Sequence, residues 1–179
     1  MKSVQIAGLS PTSLAAEFFR ESVGQWKSQR RYYTLNQESE PVEAISSIRV
    51  EFLEQDSAEL LHLGNLHGLP ADVTLLCGTK VWWDSYYVKD NRRASKGSTI
   101  FGVSGDKIYR DRGFSTNKPV IASFVFTDPK TMILQTEYND SLFQEELKLI
   151  GANHRTRQTI ISKAGEQLMI AQYLETRMN

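Results

Sequence analysis

Apolar and polar positions change their period twice along this chain. Leu14 and Phe18 stand four residues apart, as do Ala15, Phe19 and Val23, which draws one apolar stripe at helical spacing. Ser10-Pro11 offers an N-cap followed by proline at the first helical position, and Gly24 stands where such a helix ends. After Gly24 the spacing drops to two. The stretch Trp26 to Leu35 is rich in β-formers, and Ser46 to Leu53 alternates, with Ile48, Val50 and Phe52 on one line and Arg49 and Glu51 on the other. Asp56 to Leu66 returns to helical spacing, with Ala58, Leu61 and Leu66 as its expected inner positions, before the Gly68-Leu69-Pro70 punctuation.

From Val73 onward the chain reads as strands joined by short turns. The expected strands are 73–88, 98–103, 107–112, 119–126, 131–138, 142–150, 154–162 and 167–177. A charged turn is expected over Asp90 to Lys96, and hairpin turns at Gly105-Asp106, Asp128-Pro129-Lys130, Asn139-Asp140 and Ala164-Gly165-Glu166. With the two earlier strands this is an all-β meander of about ten antiparallel strands. A sheet that long curls or closes, because closure removes exposed edges. The expected fold is therefore one β-barrel domain over residues 1–179, with an N-terminal helix covering one end, one short helix, and a flexible N-terminus over 1–10. A barrel of this size holds one small ligand in its mouth.

Composition narrows the function. Lys plus Arg equals Asp plus Glu, so the formal net charge is zero, which argues against nucleic acid as the main partner. Cys77 is the one cysteine, so no internal disulfide and no cysteine metal cluster can form, which fits a reducing, cytoplasmic location. No apolar run approaches a membrane span, and no signal peptide is recognised. His62, His67 and His154 lack metal-site spacing, so no metal is expected, and no Walker loop, nucleophile elbow or dinucleotide fingerprint is present.

Three stretches can carry chemistry. In the first, Trp26 opens a strand that continues to Arg30 and Arg31. Consecutive residues point to opposite faces, so one arginine of the pair can face inward, where it needs an anionic partner. The second is Trp82-Trp83-Asp84-Ser85-Tyr86-Tyr87, which is either a packed sheet face or a platform for a flat, conjugated ligand. In the third, Arg155, Arg157 and Thr159 share one strand face, and Glu145 on the strand before is placed to meet Arg157 or Arg155. Surface ion pairs and an interior that grips carboxylates through arginine forks both fit that spacing.

In order, these stretches resemble the CpcS/CpeS family of phycobiliprotein lyases. The resemblance rests on Phe18-Phe19 running into Gly24-Gln25-Trp26-Lys27-Ser28-Gln29-Arg30, then Lys80-Val81-Trp82-Trp83-Asp84, Gly97-Ser98-Thr99 and Arg110-Asp111-Arg112-Gly113-Phe114. It continues with Thr136-Glu137-Tyr138, Glu145, Asn153-His154-Arg155-Thr156-Arg157 and Leu174-Glu175-Thr176-Arg177. The matching order covers nearly the whole chain from Phe18 to Arg177. The chain departs from the family pattern at Glu146-Leu147-Lys148-Leu149, at Gly151-Ala152 and at Gln172-Tyr173.

The resemblance implies a barrel of the lipocalin or fatty-acid-binding kind that takes a linear tetrapyrrole, a bilin such as phycocyanobilin or phycoerythrobilin, as substrate, with no covalent cofactor. It implies a lyase joining the bilin by a thioether bond to a cysteine of a phycobiliprotein apo-subunit, working as a homodimer or as a heterodimer with a paralogous lyase. Glu145 and Arg155 are the implied catalytic residues. Arg157, Arg30, Trp82, Trp83 and Tyr87 are the implied bilin contacts. Two other readings stay open: a ligand carrier without catalysis, and a partner subunit of an active paralogue.

Overall fold

The computed structural model describes residues 8–179. Of the flexible N-terminus expected over 1–10, residues 1–7 lie outside the described residues. Helix α1 spans Pro11–Ser22. The Ser10 side chain accepts from the Ser13 backbone N–H at 3.1 Å, which satisfies one free donor of the first turn. Its apolar stripe buries Leu14, Ala15, Phe18 and Phe19.

Ten strands follow in a meander: β1 (Gly24–Thr34), β2 (Val42–Glu54), β3 (Cys77–Tyr87), β4 (Arg93–Ser104), β5 (Lys107–Arg110), β6 (Val120–Asp128), β7 (Thr131–Tyr138), β8 (Ser141–Ile150), β9 (His154–Lys163) and β10 (Glu166–Arg177). Each pairs antiparallel with the next, and β1 pairs with β10, so the sheet closes into a barrel. Closure gives every one of these strands a neighbour on both sides. The charged segment expected as a turn over 90–96 is a turn only in its first half. Arg93 and Lys96 belong to β4, and both form ion pairs with Asp84 of β3, at 3.3 and 3.7 Å.

The second helix, α2 (Ala58–Leu66), lies between β2 and β3 in sequence and packs on the barrel wall. Its inner residues are Leu60 and Leu63, which join Leu53 and Leu75. The expected inner positions Leu61 and Leu66 are exposed, and Ala58 is not buried. Over nine residues carrying leucines at 60, 61, 63 and 66, spacing alone leaves the phase of the stripe ambiguous. Gly102 of β4 permits the close approach, because a Cβ there would come within 2.8 Å of Leu75 and 3.0 Å of Leu63.

Helix α1 closes one end of the barrel. Phe18 meets Phe126 edge-on at 5.8 Å, within a core that also holds Val103, Ile108, Phe124 and Met132. Polar ties hold it there. Arg177 donates to the carbonyls of Glu21, at 2.7 Å, and of Val23, and Thr12 donates to the Gly105 carbonyl at 3.1 Å. The opposite end carries the β1–β2, β3–β4, β5–β6, β7–β8 and β9–β10 connections.

Candidate functional site

A cavity of about 400 Å³ runs inside the barrel from Phe18, Phe19 and Ser22 of α1 to the β5–β6 loop at Gly113–Asn117. Its volume lies within the range of roughly 300–1,000 Å³ usual for small-ligand pockets. One part of the wall is apolar, with Ile48, Val50, Phe101, Leu134 and Trp83. The other part carries Arg30, Arg110, Arg155, Arg157, Tyr173 and Glu175.

Strand alternation explains the polar part. Arg155 and Arg157 are two apart on β9, so both face inward, and their partners across β10 are Glu175 and Tyr173. The Arg155 Nε donates to Glu175 Oε2, and the Arg155 guanidinium stacks 4.5 Å from the centre of the buried Trp26 ring. Arg157 Nη2 donates to Glu145 Oε1 at 2.5 Å, a diagonal contact, since Glu145 is registered against Thr159. Arg110 Nη1 of β5 donates to the other oxygen, Glu145 Oε2, at 3.3 Å. Glu145 therefore bridges two guanidiniums. The expected contact with Arg157 forms, whereas Arg155 turns to Glu175.

Glu145 is only 3% exposed and is not part of the cavity wall. Burial alone would raise its pKa, but Arg157 and Arg110 outweigh that and hold the carboxyl below its ordinary range. Burial pulls the pKa values of Arg110 and Arg155 down. For Arg157, burial opposes the charge, but Glu145 more than offsets it and the pKa is raised. All remain guanidinium ions at neutral pH. Burial also lifts the Tyr173 phenol to about 12.

Of the pair at the start of the barrel, Arg30 faces inward and Arg31 faces out to Glu43 at 2.7 Å. Arg30 stacks 5.2 Å from the centre of the Tyr173 ring and donates to Ser28 Oγ at 3.3 Å, and it forms no ion pair among the described residues. Four strand arginines inside the barrel thus face two carboxylates, Glu145 and Glu175, and Arg112 of the β5–β6 loop, which donates to Asn117 Oδ1 at 2.8 Å, also lines the cavity, so positive charge is in excess.

The aromatic stretch splits by strand parity. Trp83 lines the cavity. Trp82 points to the outer face, stacked between Arg49 at 5.2 Å and Lys80 at 5.0 Å, so its expected place inside the barrel is corrected. Tyr87 shares the inward parity of Trp83 but lies beyond the cavity wall, beneath the Arg92 guanidinium at 5.2 Å. Sequence reasoning missed Arg110, Tyr173 and Glu175 as site residues. The Arg110 and Glu175 motifs were visible, but nothing in their spacing says which way they point.

The family model described as CpeS-like protein matches residues 15–178. The chain belongs to this family. Among its relatives in the CpeS-like family is a protein of Nostoc sp. named "Putative phycocyanobilin lyase CpcS 2", 58% identical over 90% of this chain and 89% of that protein. A Picosynechococcus sp. protein named "Putative chromophore lyase CpcV" is 50% identical over 98% of this chain and 86% of that one. The solved structure of the S-type phycobiliprotein lyase CPES from Guillardia theta superposes with a TM-score of 0.76 at 22% identity, over 92% of this chain and 93% of that one, and so shares the fold.

Proposed function

We propose that this chain is a chromophore lyase that binds a linear tetrapyrrole inside the barrel and attaches it by a thioether bond to a cysteine of a phycobiliprotein subunit. The observation that carries the reading is the excess of positive charge in a cavity with an aromatic wall. A bilin is a flat, conjugated dianion with two propionates and a row of pyrrole N–H groups. Arginine forks suit carboxylates. The names of the CpcS and CpcV relatives point the same way.

In this reading Arg30 and Arg157 take the propionates, and Trp83 packs on a pyrrole ring. Glu175, the carboxylate on the cavity wall, accepts from pyrrole N–H and favours the protonated, more electrophilic pigment. Arg155 fixes Glu175 in place, and Glu145 fixes Arg110 and Arg157. Glu145 thus acts by positioning and does not touch the pigment. The acceptor's thiol adds to the ethylidene group of ring A: the C–S bond forms, the C=C bond opens, and the thiol proton ends on the ring carbon. Holding the pigment in one shape orients ring A for that attack. The nucleophile belongs to the acceptor. Cys77 is buried, which lifts its thiol to about 11 and leaves it a core residue.

Cytoplasmic location and action as a homodimer, or with a paralogous lyase, complete the proposal. Among the described residues no helix is long and apolar enough to cross a membrane. The test is to mix the protein with phycocyanobilin or phycoerythrobilin, then add apo-phycobiliprotein, with and without a paralogous lyase. Red-shifted, sharpened absorbance followed by a zinc-fluorescent covalent band is the expected result. Absence of both under every condition contradicts it.

A further inference from the structure

The indole of Trp83 rests against a strand position that has no side chain. Gly97 of β4 is the register partner of Trp83 on β3. A Cβ built on Gly97 would come within 2.8 Å of Cζ2, 3.2 Å of Cη2 and 3.3 Å of Cε2 of that ring. The backbone at Gly97 does not lie in the left-handed region, so its conformation does not call for glycine, and glycine inside a strand weakens it. What excludes a larger residue is the indole. On its other side Trp83 is partnered by Ile48 of β2 and packs against the cluster of Trp26, Ile48 and Val50. Ser95 and Thr99, two residues to either side of Gly97, line the same cavity as Trp83. With the β2 side filled, a methyl group at position 97 drives the indole toward the cavity.

We propose that Gly97 is a positioning residue of the ligand site: its missing side chain lets the Trp83 ring lie across β4, and this sets the width of the slot offered to a planar pyrrole ring. The consequence for pigment rests on the bilin reading above; the placement of the indole does not.

The experiment compares wild type, Gly97→Ala, Trp83→Leu and the double variant. Without pigment, the near-ultraviolet circular dichroism of tryptophan changes on Gly97→Ala, and the same substitution changes nothing in the Trp83→Leu background. With phycocyanobilin, Gly97→Ala raises Kd by about tenfold or more, the penalty expected of one overpacked methyl, and moves the absorbance maximum of the bound pigment. The double variant returns to the affinity of Trp83→Leu alone. If Gly97→Ala fails to fold, recovery of folding in the double variant supports the proposal, and failure in both backgrounds overturns it. An unchanged tryptophan signal, or an equal loss of affinity in both backgrounds, also overturns it. If the tryptophan coupling is found but wild type binds no pigment, the bilin reading fails while the placement of Trp83 by Gly97 stands.

Discussion

Arg155 on β9 and Glu175 on β10 face each other directly in register, and the guanidinium donates to the carboxylate inside the barrel. This pair puts a negative charge on the wall of a cavity that is otherwise positive. Glu175→Gln keeps the shape and removes the charge. It is expected to slow pigment transfer by about a hundredfold or more, the scale of a lost proton-transfer group, while Kd for the pigment changes by less than about tenfold. The bound pigment also shifts toward the blue as its protonated form loses its partner. Stopped-flow transfer and absorbance titration of the same variant check both parts.

Arg30 is a cavity arginine without a carboxylate partner among the described residues, so its removal does not leave a buried charge unpaired. Arg30→Ala is expected to raise Kd for the pigment roughly ten- to a hundredfold, the worth of a hydrogen bond to a charged group. Thermal unfolding should change little, by about 0.5 kcal/mol or less. A Tm drop as large as that of a core variant contradicts a binding role.

Glu145 is a different case. It is buried between Arg110 and Arg157, so Glu145→Ala leaves two guanidiniums without compensation and is expected to cost about 3–5 kcal/mol of stability. The pH dependence follows from the same pair. Its carboxyl sits below the ordinary value of 4.5 in the folded protein. The stabilisation is therefore complete above that value and is lost as pH falls from it toward the lower folded value. Chemical denaturation between pH 3 and 6 should show stability falling at the acid end in wild type, with a smaller slope in Glu145→Gln.

Trp82 and Trp83 provide an internal control. Trp83 lines the cavity and Trp82 stacks outside with Arg49 and Lys80. Trp83→Ala should weaken pigment binding about tenfold or more, and Trp82→Ala should leave it within about twofold of wild type. Absorbance titration of the two variants side by side decides this.

The barrel was legible in the sequence because turn residues and period-two runs repeat along the chain, and Arg155 and Arg157 showed a shared face for the same reason. What stayed hidden depends on register and parity. Adjacent Trp82 and Trp83 cannot both face inward, and only pairing with β2 and β4 decides which one does. Arg110 ends a four-residue strand too short to show alternation. Glu175 lies twenty residues beyond Arg155, and its role follows from the β9–β10 pairing. The reach of Glu145 to Arg157 was predictable across one hairpin. That Arg110 takes its other oxygen was not, because β5 meets β8 only across the lumen.

In the proposed function, the excess positive charge inside the barrel holds an open-chain tetrapyrrole by its two carboxylates. The most direct measurement titrates the protein with phycocyanobilin and with its dimethyl ester, which keeps the conjugated rings and removes both charges. Saturable, red-shifted binding of the free acid with an ester at least about a hundredfold weaker is the predicted result. Equal affinity for acid and ester, or no saturable binding of either, contradicts it.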